Sequence, residues 1–239
     1  MLSNMDIVSI TARDLPDAWF QCVYEIIDHG HRYRIDRGSY AGQERLEFDY
    51  ITVRIKYPGT RPLIPDIPAV LGIPNPVAEG YVEDYLPYLM TPAKQPNEDY
   101  TYGERLAGWE WASEIGGGDW WPQTVDQIKE VIRMYREQGP GTNQAAMSVA
   151  IPSDILLKDP PCLRHIDTRL RDDHLHFFVY FRSWDLWGGF PANLAALQML
   201  KEYMVAEIGC QDGEIVASSK GLHIYDYAWE LARLRAGHP

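Results

Sequence analysis

The chain has 239 residues, of which 46% are hydrophobic and 12% aromatic, and this composition excludes an intrinsically disordered protein. The formal net charge of -12 excludes a broad basic surface for a nucleic acid polymer or an anionic membrane, although a small arginine cluster can still hold one phosphate. The first residues lack a basic segment followed by an apolar one, and no run of ~20 apolar residues occurs, so we expect neither a signal peptide nor a membrane span. We therefore expect a cytoplasmic protein with one domain over residues 1–239.

Periodic patterns predict the elements of the first half. Apolar residues at helical spacing predict a helix over residues 15–27, and alternating residues predict a strand over 48–55. The proline-dense segment 59–76 is predicted to be an ordered loop, and a helix is predicted over 81–90. Residues 95–122 contain many aromatic residues and three consecutive glycines, and they have no regular pattern.

The second half alternates predicted strands and helices. Thr124 and Gln127 form a T-x-x-Q capping box that predicts a helix from Thr124, closed by Gly139. Short strands and a helix are predicted at 145–152, 165–170, 174–183 and 193–208. A strand, a turn and a short helix are predicted over 213–234. This mixed order predicts an α+β or mixed α/β fold.

Cys162 is a candidate nucleophile. It follows two prolines, which stiffen its position, and Arg164 and Arg182 are candidate cations that would favour its thiolate. A lone cysteine is also compatible with a small buried apolar residue. The three cysteines are widely spaced and odd in number, so neither a disulfide framework nor a cysteine metal site is predicted.

Four short motifs together resemble the thymidylate synthase family. In chain order they are Pro161-Cys162, Arg182-Ser183-Trp184-Asp185, Gly189-Phe190-Pro191-Ala192-Asn193 and His223-Ile224-Tyr225. Their spacing is also similar to that of the family, and the resemblance covers roughly residues 140–227. It implies a mixed β-sheet flanked by helices, with one face of the sheet forming the interface of a homodimer.

The resemblance also implies a reaction. Cys162 would add to C6 of dUMP, and C5 would then attack a methylene unit carried by a reduced pterin. Arg182 would stabilise the thiolate and bind the phosphate, with Ser183 and Arg37 completing the phosphate site. The implied co-substrate is 5,10-methylene-tetrahydrofolate or methylene-tetrahydromethanopterin, and no metal is implied.

Asn193 is the residue expected to identify the base. Its amide can pair with O4 and N3–H of uracil, whereas a carboxylate there would suit cytosine. The alternative role of Asn193 is that of a helix N-cap. His223 and Tyr225 would lie on one face of a strand, where both could reach the ribose 3′-hydroxyl, or they simply belong to a half-buried strand. Tyr102 would relay the C5 proton or belong to an aromatic core.

The expected pterin contacts come from three further residues. Asp84, with Glu83 beside it, matches the helix position of a catalytic glutamate in the family. Asp185 would contact the base or the pterin, or otherwise cap a turn. Gly189, the first residue of the Gly-Phe-Pro-Ala-Asn motif, completes the predicted pterin site.

Departures from the family define the alternatives. Asn143 and Gln144 stand where the family has an Arg-Arg pair, and Phe181 and Gly221 replace its usual Gln and Asp. Arg164, Arg169 and Arg171 are candidates to compensate for the lost charges. Sixteen residues follow His223, so we expect the long closing tail of the family to be missing. These features resemble a short archaeal branch with a methanopterin carrier. A pyrimidine-nucleotide hydroxymethylase and a nucleotide-binding homologue without turnover remain alternatives.

Overall fold

The computed structural model describes residues 5–36, 40–78, 80–110 and 124–237. The elements of the first half are β1 (Ile7–Ala12), α1 (Leu15–His29), β2 (His31–Arg34), β3 (Glu44–Glu47), β4 (Tyr50–Ile55), α2 (Tyr81–Met90), α3 (Tyr102–Ala107) and β5 (Trp109–Glu110). Those of the second half are β6 (Thr124–Val125), α4 (Gln127–Gln138), β7 (Ala146–Ser148), β8 (Leu163–Arg171), β9 (His174–Phe181), β10 (Trp184–Asp185), α5 (Gly189–Ile208), β11 (Gln211–Ser219), β12 (Leu222–Tyr225) and α6 (Trp229–Ala236).

A six-stranded mixed sheet organises the core, in the order β1-β4-β11-β9-β8-β7. Parallel pairs join β1 to β4 and β11 to β9, and the other neighbours are antiparallel. Buried residues alternate with more exposed ones along β4, β9 and β11, so one face of the sheet is covered and the other is open. Helices α1, α4 and α5 contact the sheet. The expected mixed sheet flanked by helices is therefore confirmed.

Helix α5 is the central helix of the fold. It is buried around most of its circumference, from Phe190 through Leu197 to Met204, which explains why its sequence lacks a distinct polar face. It contacts α1, α2 and α4, and it also contacts strands β9, β10 and β11. Side chains near its first turns are consequently held in fixed positions by several elements.

A smaller sheet, in the order β10-β12-β3-β2, carries the last two sequence motifs. Strand β10 is parallel to β12, with Asp185 opposite His223. Strand β12 is antiparallel to β3, which places Tyr225 opposite Arg45. The sheet therefore brings the Arg-Ser-Trp-Asp and His-Ile-Tyr motifs together across nearly forty positions of sequence.

Several predicted elements are confirmed and others need correction. Helix α2 has the predicted bounds, whereas the short helix α3 was not predicted. The capping box was wrong, because Thr124 pairs with Glu110 in a short strand and the Asp126 carboxylate caps α4 by accepting from the Lys129 N–H at 3.0 Å. No helix in the described ranges is long and apolar enough to cross a membrane.

The start of α5 is the correction that matters for the site. The helix begins at Gly189 and not at Asn193, so the alternative reading of Asn193 as an N-cap was wrong. The physical reason is that the Asp185 carboxylate accepts hydrogen bonds from the N–H groups that precede the helix, which lets the chain enter it one turn earlier. Asn193 thus projects from inside the helix.

Candidate active site

Cys162 and Arg182 form one connected unit at the start of β8. The backbone N–H of Arg182 donates to the backbone carbonyl of Cys162 at 2.9 Å. The Arg182 Nε also donates to the carbonyls of Pro160 and Pro161, at 3.2 and 3.1 Å. The arginine therefore fixes the backbone on which the half-buried cysteine stands.

Burial raises the pKa of the Cys162 thiol above its ordinary value, and the charges of Arg182 and Arg164 oppose that shift. Asp159 adds to the rise, but its carboxylate also pairs with Arg182 at 3.3 Å. The neutral thiol is thus favoured in this structure, and the two arginines reduce the free energy needed to form the thiolate.

Two hydrogen-bonding groups of the Arg182-Ser183 pair have no partner in the part of the chain that the structure describes. These are the Nη1 group of Arg182 and the hydroxyl of Ser183, which follows it. A free guanidinium nitrogen and the hydroxyl of the next residue can each donate to a phosphate oxygen. Arg37, the other predicted phosphate ligand, lies outside the described residues.

Asp185 organises the turn before α5. Its carboxylate accepts from the N–H groups of Trp187 at 3.2 Å, Gly188 at 3.0 Å and Gly189 at 3.0 Å. The turn-capping role foreseen as its alternative is therefore present. An added Cβ at Gly189 would lie 3.4 Å from Asp185 Cβ and 3.8 Å from Asn193 Oδ1, which are ordinary van der Waals distances, so the turn itself does not require glycine at this position.

The amide of Asn193 is held by two side chains. The indole N–H of Trp184 donates to Asn193 Oδ1 at 3.0 Å, and Asn193 Nδ2 donates to the Tyr85 hydroxyl at 3.2 Å. One lone pair of Oδ1 and one hydrogen of Nδ2 remain without a hydrogen bond to these two side chains. The side chain is half-buried, so these positions can meet a ligand.

His223 presents a buried acceptor to the site. Its Nδ1 lies 2.8 Å from the Gly221 carbonyl and must donate to it, which leaves Nε2 as the lone-pair atom of the neutral ring. Nε2 is buried and has no hydrogen-bond partner among the described residues. Burial lowers the pKa of His223 to about 4, with smaller opposing effects of Gly221 and Asp185, while the charge of Arg45 adds to the decrease. A hydroxyl group of a ligand is the natural partner of this atom.

A pH-dependent stability follows from His223. Its folded pKa of about 4 lies below the ordinary 6.5, so its contribution to stability is complete above pH 6.5 and is lost as pH falls through 4. The free energy of unfolding should therefore fall between pH 7 and pH 4.5, and we expect this fall to be smaller by about 2–3 kcal/mol in His223→Gln. Urea unfolding of both proteins at pH 7, 5.5 and 4.5 measures this difference. Equal losses for both would show that His223 does not titrate in this range.

Two tyrosines, Tyr225 and Tyr102, lie beside His223 and the backbone next to Cys162. Tyr225 is 9% exposed, stacks on Tyr40 with centroids 4.5 Å apart, and meets the His223 ring edge to face at 4.6 Å. The Tyr102 hydroxyl accepts from the Leu163 N–H at 3.3 Å, directly beside Cys162. Burial raises the pKa of both phenols, so both hydroxyls remain protonated at neutral pH.

A cavity of about 470 Å³ adjoins Asn193 through Tyr85. It is lined by Tyr81, Asp84, Tyr85, Tyr88, Tyr100 and Tyr102. Asp84 is exposed at this cavity, and Glu83 is exposed on the same helix but does not line the cavity. The residue of this helix that contacts Asn193 is Tyr85. The structure thus places Asp84 at this cavity and the Tyr85 phenol against the amide of Asn193.

Two of the three arginines that were candidates for charge compensation, Arg169 and Arg171, lie away from Cys162. Arg169 Nη2 donates to Asn143 Oδ1 at 3.3 Å, and both residues border a cavity of about 850 Å³ that also includes Arg171. This cavity is on the open sheet face, toward the far end of β8 from Cys162. Arg164 is nearer, and its Nη1 donates to the Pro161 carbonyl at 3.2 Å. Within the described ranges no group of three or more possible metal ligands occurs.

Comparison with known proteins identifies the family. The family model for thymidylate synthase matches residues 92–236, more than half of the chain. The chain belongs to the thymidylate synthase family. The match includes Cys162, Arg182, Asn193 and His223, whereas Arg37 and Asp84 precede it.

Curated relatives of this thymidylate synthase family member come from archaea and cover nearly its whole length. A protein named "Putative thymidylate synthase" from Methanosarcina acetivorans is 30% identical over 224 residues, which is 93% of this chain and 91% of the relative. The protein of that name from Methanothermobacter thermautotrophicus is 27% identical over 231 residues, which is 94% of this chain and 96% of the relative. The expected family is therefore confirmed.

Sequence reasoning missed two residues of the site, Trp184 and Tyr85. Trp184 occupies the unspecified position of the Arg-Ser-x-Asp motif, and Tyr85 directly follows the residue predicted to replace the glutamate. No spacing rule connects either residue to Asn193, because their contacts depend on how α2, β10 and α5 pack.

Proposed function

We propose that this protein is a thymidylate synthase that converts dUMP to dTMP, with Cys162 as the nucleophile at C6. The observation that carries the proposal is the connected unit of Cys162 and Arg182, which joins a nucleophile to a free guanidinium nitrogen through backbone hydrogen bonds. A phosphate bound at Arg182 and Ser183 would fix a nucleotide relative to the thiol.

Different residues would bind the phosphate, the ribose and the base of the nucleotide. Arg182 Nη1 and the Ser183 hydroxyl would bind the 5′-phosphate, together with Arg37. The Nε2 lone pair of His223 would accept from the ribose 3′-hydroxyl, with the protonated Tyr225 hydroxyl beside it. Asn193 would pair with O4 and N3–H of uracil through its free hydrogen and lone pair.

The chain also contributes to the chemical step. Attack of the Cys162 thiolate on C6 moves negative charge toward O4, where the free N–H of Asn193 would stabilise it. The Tyr102 hydroxyl stays protonated beside Cys162, and we assign to it a relay of the C5 proton, in which its oxygen would accept that proton while its own proton passes to a water molecule. Arg182 would stabilise the thiolate before attack and after its expulsion.

The aromatic lining of the tyrosine-lined cavity supports its assignment to a co-substrate that contains ring systems. Its volume of about 470 Å³ lies within the ordinary range for small-molecule sites, and aromatic side chains form most of its wall. We assign it to a reduced pterin, 5,10-methylene-tetrahydrofolate or methylene-tetrahydromethanopterin, which would supply a one-carbon unit and a hydride. Asp84, Asp185 and Gly189 remain the proposed contacts of this co-substrate.

We further propose a homodimer through the open face of the six-stranded sheet. Phe178 is 38% exposed there, and Arg54, His176 and Glu214 line the same face. A sheet face with an exposed aromatic residue suits an interface, because burying that residue removes apolar surface from water. We expect Phe178→Asp to convert a dimer into a monomer in sedimentation equilibrium, whereas Tyr57→Asp, at an exposed site away from this cavity, should not. A monomeric wild-type protein would contradict the proposal.

Product analysis tests the reaction. The purified protein is incubated with dUMP and each methylene carrier in turn, and the nucleotides are separated by chromatography and identified by mass. Formation of dTMP supports the synthase, and the productive carrier identifies the co-substrate. A 5-hydroxymethyl product would instead indicate a hydroxymethylase, and binding without any product would indicate a nucleotide-binding homologue.

A further inference from the structure

An asparagine by itself does not choose between uracil and cytosine. In one orientation its N–H donates to O4 of uracil while its oxygen accepts from N3–H. After a flip of the amide, its oxygen accepts from the amino group of cytosine while its N–H donates to N3. Selection of one base therefore requires something that prevents the flip of Asn193.

Trp184 supplies that constraint. An indole N–H can only donate, so the Asn193 atom that it meets at 3.0 Å has to be the oxygen. A flipped amide would direct its own N–H groups at this donor, which leaves a buried hydrogen bond unmade and brings two donors together.

The packing of Trp184 prevents it from moving aside. The residue is 3% exposed, and its ring stacks on Phe181 with centroids 4.0 Å apart and planes 6° from parallel. Phe190 packs on it at 4.5 Å, and the Trp184 backbone N–H donates to the Gly221 carbonyl at 2.9 Å. The indole therefore acts as a fixed reference for the amide.

Tyr85 has a different role at the same amide. Its hydroxyl accepts from Asn193 Nδ2 at 3.2 Å, but a hydroxyl can also donate and would tolerate the flipped amide. Burial raises its pKa well above the ordinary value, so the phenol stays neutral and does not select an orientation by charge. Tyr85 satisfies one hydrogen of the amide, and Trp184 alone determines which way the amide faces.

The geometry assigns to Trp184 the selection of uracil over cytosine, as a positioning residue that acts through Asn193. This inference rests on the proposed function, because it concerns the base that the nucleotide site accepts. It adds to that function a determinant of specificity that makes no contact with the base itself.

The test compares the ratio of kcat/KM for dUMP to kcat/KM for dCMP in four proteins. These are the wild type, Trp184→Phe, Tyr85→Phe and Trp229→Phe. We expect Trp184→Phe to lower the ratio about 10-fold or more, because the amide can then adopt both orientations. Tyr85→Phe should lower kcat/KM for both substrates and leave the ratio of the two values nearly unchanged. Trp229→Phe is the matched control, since its indole donates to the Ile224 carbonyl at 2.9 Å and does not contact Asn193.

The outcomes separate the inference from the proposed function. A wild type that neither binds nor converts dUMP overturns both. A wild type that prefers dUMP, with the same preference in folded Trp184→Phe, overturns the inference and leaves the function intact. If Trp184→Phe does not fold, replacement of Trp184 by benzothienylalanine removes the N–H donor at nearly constant shape, and an unchanged ratio in that protein also overturns the inference.

Discussion

Cys162→Ser is expected to lower dTMP formation by roughly 10⁴-fold or more, because a serine hydroxyl ionises far less readily than a thiol and is a much weaker nucleophile at C6. Binding of dUMP should change by only about threefold, since Arg182, Asn193 and His223 remain in place. Steady-state kinetics and equilibrium binding of dUMP measure the two effects separately.

Cys210→Ser is the matched control for this substitution. Cys210 is also half-buried with a pKa raised by burial, but it follows α5 at the other end of that helix from Asn193. Its replacement should leave turnover nearly unchanged. Retention of turnover in Cys162→Ser would remove Cys162 from the chemical step, and a loss in both variants would point to a general effect on the fold.

Asn193→Asp is expected to reverse the base preference, with kcat/KM for dUMP falling by roughly 100-fold and that for dCMP rising. A carboxylate only accepts hydrogen bonds, so it faces the O4 acceptor of uracil unfavourably and can accept from the amino group of cytosine. The protein should remain folded, because Trp184 already donates to this side chain and the Tyr85 hydroxyl can turn to donate as well.

The control for the reversal is Asn193→Ala, which removes both hydrogen-bonding groups. It should lower kcat/KM for both nucleotides without creating a preference for dCMP. Measurements of kcat/KM for dUMP and dCMP with both variants test whether the preference is reversed. Equal losses in Asn193→Asp for the two substrates would contradict a base-reading role for Asn193.

Much of the fold could be predicted from periodicity, and the exceptions have local causes. Helix α2 was placed correctly because its apolar spacing is undisturbed, even with Pro87 inside it. The beginning of α5 was misplaced because its cap comes from Asp185, four residues before the helix, and not from a residue at the predicted boundary. At Thr124 a local capping pattern lost to pairing with Glu110 and to the stronger carboxylate cap of Asp126.

The site was predictable where its residues lie in short motifs and not where it depends on packing. Asp185 and His223, which the family resemblance assigned to one site, come together because β10 and β12 pair in parallel. The contact of Tyr85 with Asn193 spans 108 positions of sequence, and no pattern within either segment indicates it. Expectations for Asp84 and Arg37 as ligands remain predictions, the first exposed at the tyrosine-lined cavity and the second outside the described residues.

The most direct measurement of the central claim is intact-mass spectrometry of the protein with 5-fluoro-dUMP, alone and with each methylene carrier. Fluorine blocks loss of the C5 substituent, so a competent enzyme should accumulate a ternary covalent adduct, and peptide mapping should place it on Cys162. The account predicts an added mass equal to the nucleotide plus one of the two carriers. A folded protein that binds dUMP but gives no adduct with either carrier would contradict it.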